Sequence, residues 1–234
     1  PEPWIWVRGA GAPPSPPAVP PDPSPTRFRQ RHPALYKTTA PPPKPVRLVA
    51  EFEPVEALYL SWNPGVVDAF NVSVIREVLR YTRVVPVVIH HGADEREYLE
   101  GRLIEQRIPP KRVRFLDATQ LGPWHNPDPG SPDSRAVQTM WIRDWGPAFL
   151  ETTRGLAVVD ARYWDDRPND DAFPTKLAAL EELPVYRTSL LMEGGNLLTD
   201  GAGTCFVADR AELAVSESED DLTDETLGRF YGCK

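Results

Sequence analysis

The sequence predicts an α/β fold with mixed strand directions, and two observations lead to this prediction. Short apolar runs typical of strands alternate with amphipathic segments typical of helices from about residue 47 onward. Some consecutive strands are separated by a turn and others by a helix, which favours hairpins in the first case and parallel pairs in the second. The alternation suggests a repeated unit of strands and one helix, although no sequence repeat is visible.

The first half of the predicted domain contains three strands and two helices. Apolar and β-branched runs over residues 57–62, 84–89 and 113–116 predict the strands. Between them, residues 68–82 carry the apolar spacing of a helix, and residues 93–106 have the acidic start that a helix favours.

The second half begins with a polar loop over residues 119–138, and long ordered loops often form lids or binding loops. Asp200 and Gly201 are a hairpin signal, and Gly232 fits a helix end. The other elements follow from apolar runs and helical spacing: strands over residues 148–150, 155–160, 185–191 and 204–207, and helices over residues 170–183 and 222–231.

Composition indicates a globular chain and argues against two kinds of partner. The 234 residues are 41% hydrophobic and 26% charged, and the net charge of -8 argues against a nucleic-acid surface. No apolar run reaches the length of about 18 residues that a membrane span needs. Two cysteines do not make a disulfide framework. We expect Cys205 to be an inert core thiol and Cys233 to be free or part of a further strand.

Residues 1–46 are predicted to be a disordered, proline-rich tail, with the folded domain over residues 47–234. More than half of the 28 prolines lie in this tail. Such a composition favours polyproline II structure and cannot bury a core. A linker is the main interpretation, and a proline-rich ligand for a partner domain is the alternative.

The stretch Trp141–Pro147 is the first candidate site, because an Arg-Asp pair lies between two tryptophans where a loop meets a strand. A carboxylate grips a guanidinium with two parallel hydrogen bonds, and an aromatic ring can cover the face of such a flat cation. A surface turn with a local Arg-Asp pair is the alternative interpretation.

The stretch Glu193–Asn196, with the sequence Glu-Gly-Gly-Asn, is the second candidate, because its acid follows an apolar strand directly. Paired glycines let the backbone pass close to a ligand or to a neighbouring strand. A Gly-Gly bulge beside a solvated glutamate is the alternative.

The histidines and glycines indicate neither a metal nor a cofactor. His90 and His91 are adjacent at a strand end and so point to opposite faces, which disfavours a shared metal. His125 lies in the long loop and is expected to be solvated. The sequence contains neither a phosphate-binding loop nor a dinucleotide fingerprint.

Together the two candidate stretches resemble the agmatine deiminase family, which includes the Porphyromonas-type peptidylarginine deiminases. The stretches are about fifty residues apart, and Ala50–Pro54, Arg167–Asp171 and Asp200–Thr204 are similar to further family segments. The resemblance covers residues 47–234. It implies a pentein fold, an α/β propeller of five strand-and-helix modules around a central site, of which this chain holds an incomplete set.

The resemblance also implies a reaction and roles for four residues. In the family a Cys thiolate attacks the guanidinium carbon, ammonia leaves, and water hydrolyses the covalent intermediate without a metal. Asp144 and Glu193 correspond to catalytic residues: Asp144 holds the guanidinium, and Glu193 orients the catalytic His. Trp141 corresponds to an aromatic wall, and Asn196 is placed among the substrate-binding residues.

The chain departs from the family at the reacting groups. The family's His-x-Asp pair and nucleophilic Cys lie downstream of the position of Asp200, whereas this chain has no His after His125. Neither Cys205 nor Cys233 has the sequence context of the nucleophile. We therefore expect the N-terminal portion of a deiminase, which holds the substrate-binding half of the site and is inactive alone.

The substrate, the location and the class of function stay open from sequence alone. The substrate implied is agmatine, for enzymes that are typically cytoplasmic and feed putrescine synthesis, or peptidyl-arginine, for enzymes that are exported. The alternatives are a non-catalytic guanidinium-binding or interaction protein of the same fold and an amidinotransferase-like relative. The oligomeric state is not predicted.

Overall fold

The computed structural model describes residues 24–127, 135–207, 212–213 and 224–234. Its elements in chain order are α1 (Pro25–Arg31), β1 (Val46–Leu48), β2 (Ala57–Ser61), α2 (Asp68–Tyr81), β3 (Val85–His90), α3 (Gly92–Glu105), β4 (Arg114–Asp117), α4 (Ile142–Trp145), β5 (Ala148–Thr152), β6 (Gly155–Arg162), α5 (Pro168–Asp171), α6 (Phe173–Leu180), β7 (Val185–Leu191), β8 (Leu197–Thr199), β9 (Cys205–Val207), β10 (Glu212–Leu213) and a π-helical turn (Leu227–Tyr231). No helix in these ranges is long and apolar enough to cross a membrane.

Three sheets confirm the predicted α/β class and its mixed strand directions. Strands β2, β3 and β4 form a parallel sheet in sequence order, and a helix lies in each of the two connections between them. A second sheet has the order β1-β5-β6-β7-β10, in which only β6 and β7 run parallel. Strands β8 and β9 form the predicted hairpin, with Gly201 at a φ of 69° in its turn. Parallel pairing of β6 and β7 brings the residues that follow both strands to one edge of the sheet.

The predicted helix over residues 170–183 is wrong in its extent, because it consists of two short helices. Helix α5 ends at Asp171, and α6 starts at Phe173 with Pro174 in its first turn. A proline at this position has no N–H to continue the α5 hydrogen-bond ladder, whereas it is well tolerated at a helix start. The break leaves α5 as a single buried turn beside the second sheet.

The N-terminal segment is a second correction, because residues 24–45 are described and part of this segment packs on the domain. Phe28 in α1 is 2% exposed and lies against His125, with the two ring centroids 5.5 Å apart. Tyr36 donates its hydroxyl hydrogen to the Pro168 carbonyl at 2.8 Å. His125 is therefore buried rather than solvated. The average composition of residues 1–46 conceals these anchoring side chains, and residues 1–23 lie outside the described ranges.

The cysteines are a third correction, because Cys205 and Cys233 form a disulfide with Cα atoms 5.6 Å apart. They are separated by 28 positions, and the pair forms because the C-terminal turn packs against β1 beside the β8–β9 hairpin. Gly232 ends that turn with a φ of 78°, as predicted, and a Cβ there would lie 2.3 Å from the Val46 carbonyl oxygen. The sequence also predicts Thr223 as the N-cap of the helix that precedes Gly232, and Thr223 lies outside the described residues.

Candidate guanidinium site

A cavity of about 550 Å³ lies where the loops after β6 and β7 meet α4. It is lined by Asp144, Tyr163, Trp164, Leu191, Met192, Glu193, Gly195 and Asn196. The structure thus brings together three of the four site residues predicted from sequence, namely Asp144, Glu193 and Asn196. A pocket with a few convergent polar groups on partly apolar walls is the usual form of a small-molecule site.

Asp144 reaches this cavity because its neighbour Trp145 is held in the core. The Trp145 side chain packs against Phe173, with ring centroids 5.1 Å apart, and its Nε1 donates to Thr139 Oγ1 at 2.8 Å. The single turn of α4 therefore has one buried face, and Asp144 lies on another. Gly146 closes the turn, where a Cβ would lie 2.4 Å from the Ile142 carbonyl oxygen.

The paired glycines of Glu193–Asn196 let the two candidate stretches touch. A Cβ on Gly194 would lie 2.5 Å from the Arg143 carbonyl oxygen, which is closer than any side chain tolerates. A Cβ on Gly195 would lie 3.1 Å from Asp144 Oδ1. The predicted close backbone approach is confirmed, and the approaching partner is the stretch that carries Asp144.

The cavity is electrostatically suited to a cation. Burial and then the nearby Glu193 carboxylate raise the pKa of Asp144, and Arg143 opposes that shift. Arg143 itself forms an ion pair with Glu51. Two carboxylates that share one cavity repel each other, so a bound cation would relieve the repulsion and lower the pKa of Asp144.

Trp164 is the more exposed of the two aromatic residues that line the cavity, and the sequence interpretation missed both it and Tyr163. It lines the cavity, is 46% exposed, and donates its indole N–H to Glu193 Oε1 at 2.9 Å. Trp141, predicted as the wall, is 58% exposed and is not among the described residues that line this cavity. Trp164 lies two residues after β6, and Glu193 lies two residues after β7, so the parallel pairing of these strands is the signal that could have identified Trp164.

Asp170 holds the loop on which the Trp141–Pro147 stretch depends. Its Oδ1 accepts the Gln138 N–H at 2.6 Å, and its Oδ2 accepts the Thr139 hydroxyl at 2.8 Å. Thr139 in turn accepts the Trp145 indole hydrogen. Burial raises the Asp170 pKa to about 7, although these hydrogen bonds oppose the shift.

The histidines lie outside the described lining of the cavity and have local partners. His91 Nδ1 accepts the Ala136 N–H at 3.0 Å, and His125 is buried beside Asn169, whose Oδ1 accepts the His125 N–H at 2.6 Å. Within the described part of the chain, no group of three or more His, Cys, Asp or Glu residues could hold a metal ion.

The chain is similar in sequence to known deiminases. The sequence model of the Porphyromonas-type peptidyl-arginine deiminase family matches residues 47–227. The agmatine deiminase of Medicago truncatula is 24% identical over 207 residues, which cover 74% of this chain and 49% of that protein. The chain therefore spans about half the length of this relative.

Solved structures show the same fold. An agmatine deiminase of C. jejuni is similar with a TM-score of 0.56 at 18% identity, over 81% of this chain and 53% of that one. An agmatine deiminase of Enterococcus faecalis is similar with a TM-score of 0.56 at 19% identity, over 81% of this chain and 51% of that one. The likeness assigns the chain to the pentein-type α/β propeller fold that the resemblance predicted.

Proposed function

The chain belongs to the Porphyromonas-type peptidyl-arginine deiminase family, and we propose that its cavity binds the guanidinium group of agmatine or of an arginine side chain for hydrolytic deimination. The observation that carries this proposal is that Asp144, Glu193 and Trp164 converge on one cavity. A guanidinium is a flat cation with five N–H donors, and it suits carboxylates at its edge and an aromatic ring at its face.

Asp144 is proposed to make the main contact to the guanidinium, since its carboxylate can accept two parallel hydrogen bonds. Glu193 already accepts the Trp164 indole hydrogen through Oε1, so its second oxygen supports either the substrate or a catalytic histidine. Asn196 lines the cavity at the end of the Gly-Gly turn and is proposed to contact the substrate. Trp141 is proposed to act as an aromatic wall for the bound guanidinium.

Deimination itself needs a nucleophile in addition to this site. A thiolate forms a bond to the guanidinium carbon, the carbon–nitrogen bond breaks, and ammonia leaves with a proton from a general acid; water then releases the ureido product and restores the thiolate. Both cysteines of this chain are joined in a disulfide, and no His follows His125. We therefore propose that these 234 residues bind the guanidinium without converting it.

Calorimetric titration of the purified chain with agmatine and with N-acetyl-arginine amide tests the binding proposal. Both guanidino ligands should bind, whereas putrescine and N-acetyl-lysine amide should bind at least about tenfold more weakly, because an ammonium cannot make the paired contact. Equal affinity for the arginine and lysine amides would contradict the proposed site. Release of ammonia from agmatine by the chain alone would contradict its proposed inactivity.

The disulfide supports arginine peptide over agmatine as ligand, since structural disulfides persist in oxidising compartments, where exported enzymes act. A guanidinium-binding protein of the same fold that does not catalyse is the second candidate function. Tighter binding of N-acetyl-arginine amide than of agmatine would support the peptide. Ureido product formed by a chain that includes the family's downstream His-x-Asp and Cys residues would exclude the non-catalytic alternative, and a transferred amidino group would indicate an amidinotransferase.

A further inference from the structure

The N-terminal segment of residues 24–39 precedes the family match at residues 47–227, yet it reaches the loop that lines the cavity. Its contact is Arg29 in α1, whose side chain is only 16% exposed. The Arg29 guanidinium lies over the Tyr36 ring, with Cζ 4.7 Å from the ring centroid. The residue is therefore held in one orientation by its own segment.

Arg29 contacts Trp164 in the loop after β6 and Asp171 at the end of α5. Its Nη1 pairs with the Asp171 carboxylate, and its Nη2 donates to the Trp164 carbonyl oxygen at 3.1 Å. Asp171 also accepts the Tyr163 N–H at 2.7 Å through its other oxygen. One planar side chain thus ties both this loop and α5 to the N-terminal segment.

The loop transmits this contact to the cavity through Trp164. Arg29 holds the Trp164 backbone carbonyl, and Glu193 accepts the Trp164 indole hydrogen at 2.9 Å. The ring between these two contacts forms a wall of the cavity and is half-exposed. Loss of the Glu193 contact would leave the indole N–H without this acceptor, and loss of the Arg29 contact would release the backbone that carries the ring.

Charge balance does not explain why an arginine is present at this position. Arg187 already pairs with Asp171, with its Nη2 2.5 Å from Asp171 Oδ1, and with Asp160 at 2.7 Å. Asp171 therefore has a cationic partner without Arg29. What Arg29 adds is the planar fork, which reaches the Asp171 carboxylate and the Trp164 carbonyl from two different nitrogens.

We propose that Arg29 is a positioning residue of the guanidinium site, which fixes Trp164 beside Glu193 and makes the N-terminal segment a structural part of the binding site. This inference deepens the proposed function and rests on it for the ligand. A lysine at position 29 would keep a cation beside Asp171, but its single ammonium lacks the fork that contacts Trp164.

The test compares four variants by calorimetric titration with agmatine and by thermal unfolding. Arg29→Lys and Trp164→Phe should each weaken agmatine binding about threefold to tenfold, the effect of losing an ordered aromatic face on a cation. Lys37→Ala removes one exposed cation from the same segment and is the matched control, with unchanged affinity expected. The double variant Arg29→Lys/Trp164→Phe should bind no more weakly than Trp164→Phe alone, because Arg29 acts through Trp164.

A purely structural role would give a different pattern. In that case Arg29→Lys would lower the melting temperature with unchanged affinity, or the losses in the double variant would add; either result overturns the inference. If the wild-type chain does not bind agmatine, the proposed function fails instead. Iodide quenching then decides the inference alone: the fluorescence component lost in Trp164→Phe should become more accessible to iodide in Arg29→Lys, and unchanged accessibility would refute it.

Discussion

Polar residues of similar type lie at the C-terminal ends of parallel strands in two regions of the molecule, but their contacts differ. In the parallel three-stranded sheet, His90 ends β3 and Asp117 ends β4. His90 Nδ1 donates to the Gly92 carbonyl at 2.9 Å, His91 Nδ1 accepts the Ala136 N–H at 3.0 Å, and Asp117 Oδ1 accepts the Gly92 N–H at 3.1 Å. This edge is closed by its own backbone.

The edge after β6 and β7 is open by comparison. Trp164 and Glu193 follow the two parallel strands and, together with Asp144, face a cavity of about 550 Å³. The comparison teaches that a strand-end acid or imidazole is available to a ligand only where the fold directs it to a cavity instead of to neighbouring backbone groups. Residue type at a strand end does not by itself identify a site.

The largest change in stability is expected from removing the disulfide, which stabilises only the region that contains the cavity. The double variant Cys205→Ser/Cys233→Ser should lower the free energy of unfolding by about 3 to 4 kcal/mol, because the bond closes a loop of 28 residues in the unfolded chain. Hydrogen exchange should accelerate in β1, β8 and β9 and stay unchanged in β2–β4. Equal acceleration in β2–β4 and in β1, β8 and β9 would contradict this prediction, because it would show that the two regions unfold as one unit.

Removing a carboxylate at the open edge should affect binding and stability in opposite directions. Asp144→Asn is expected to weaken agmatine binding about thirtyfold to hundredfold, since it removes one partner of a charge pair. The variant should be at least as stable as wild type, because burial and Glu193 raise the Asp144 pKa and so disfavour its charged form in the folded state. Titration and urea unfolding measure the two effects, and a joint loss of affinity and stability would instead indicate a structural role.

Asp170, which supports the loop before the cavity, should make stability depend on pH. Its pKa is raised to about 7 in the folded state, so its contribution to stability is fully present below about pH 4 and is lost as the pH rises to about 7. Relative to wild type, Asp170→Asn should gain a few kcal/mol of unfolding free energy across this range, since each pKa unit of the shift corresponds to about 1.4 kcal/mol. Burial lowers the Lys176 pKa to about 8 and Asp170 opposes that shift, so the two proteins are compared below pH 7, where Lys176 stays charged in the wild type. Parallel stability profiles from urea unfolding at each pH would contradict this prediction.

The smallest effect is expected at the closed edge. His91→Ala leaves the Ala136 N–H without its acceptor, and it should lower the free energy of unfolding by about 1 kcal/mol. Agmatine affinity should stay within twofold of wild type, since His91 is not among the described residues that line the cavity. A large loss of affinity in this variant would remove the contrast between the two edges.

Local pattern predicted most of the elements, because apolar periodicity and turn residues act over a few positions. Strand β7 at residues 185–191 has the predicted bounds, and α2 differs from its prediction by one residue. Strand β1 was missed because it is three residues long and pairs with β5, which lies a hundred positions away. Helices α5 and α6 were merged because the helical spacing continues across the break at Ala172.

The site residues show the same contrast between what local pattern predicts and what depends on contacts between distant residues. Asp144 and Glu193 were identified because glycines and tryptophans make their stretches distinctive in the sequence. Trp164 was not identified, because its role depends on the pairing of β6 with β7, and Arg29 was concealed by the prolines around it. The disulfide was missed for the same reason, since two cysteines far apart in sequence carry no signal of the packing that joins them.

The sequence by itself determined the α/β class, the family and two of the acids that line the cavity, because each depends on short stretches whose chemistry is local. Only the tertiary structure decided which aromatic rings line the cavity, that the cysteines are joined, and that part of the proline-rich segment packs against the domain. These features depend on contacts between residues far apart in the chain, such as Arg29 with Trp164 and Cys205 with Cys233. Such contacts form only when the packing of the whole core brings their elements together.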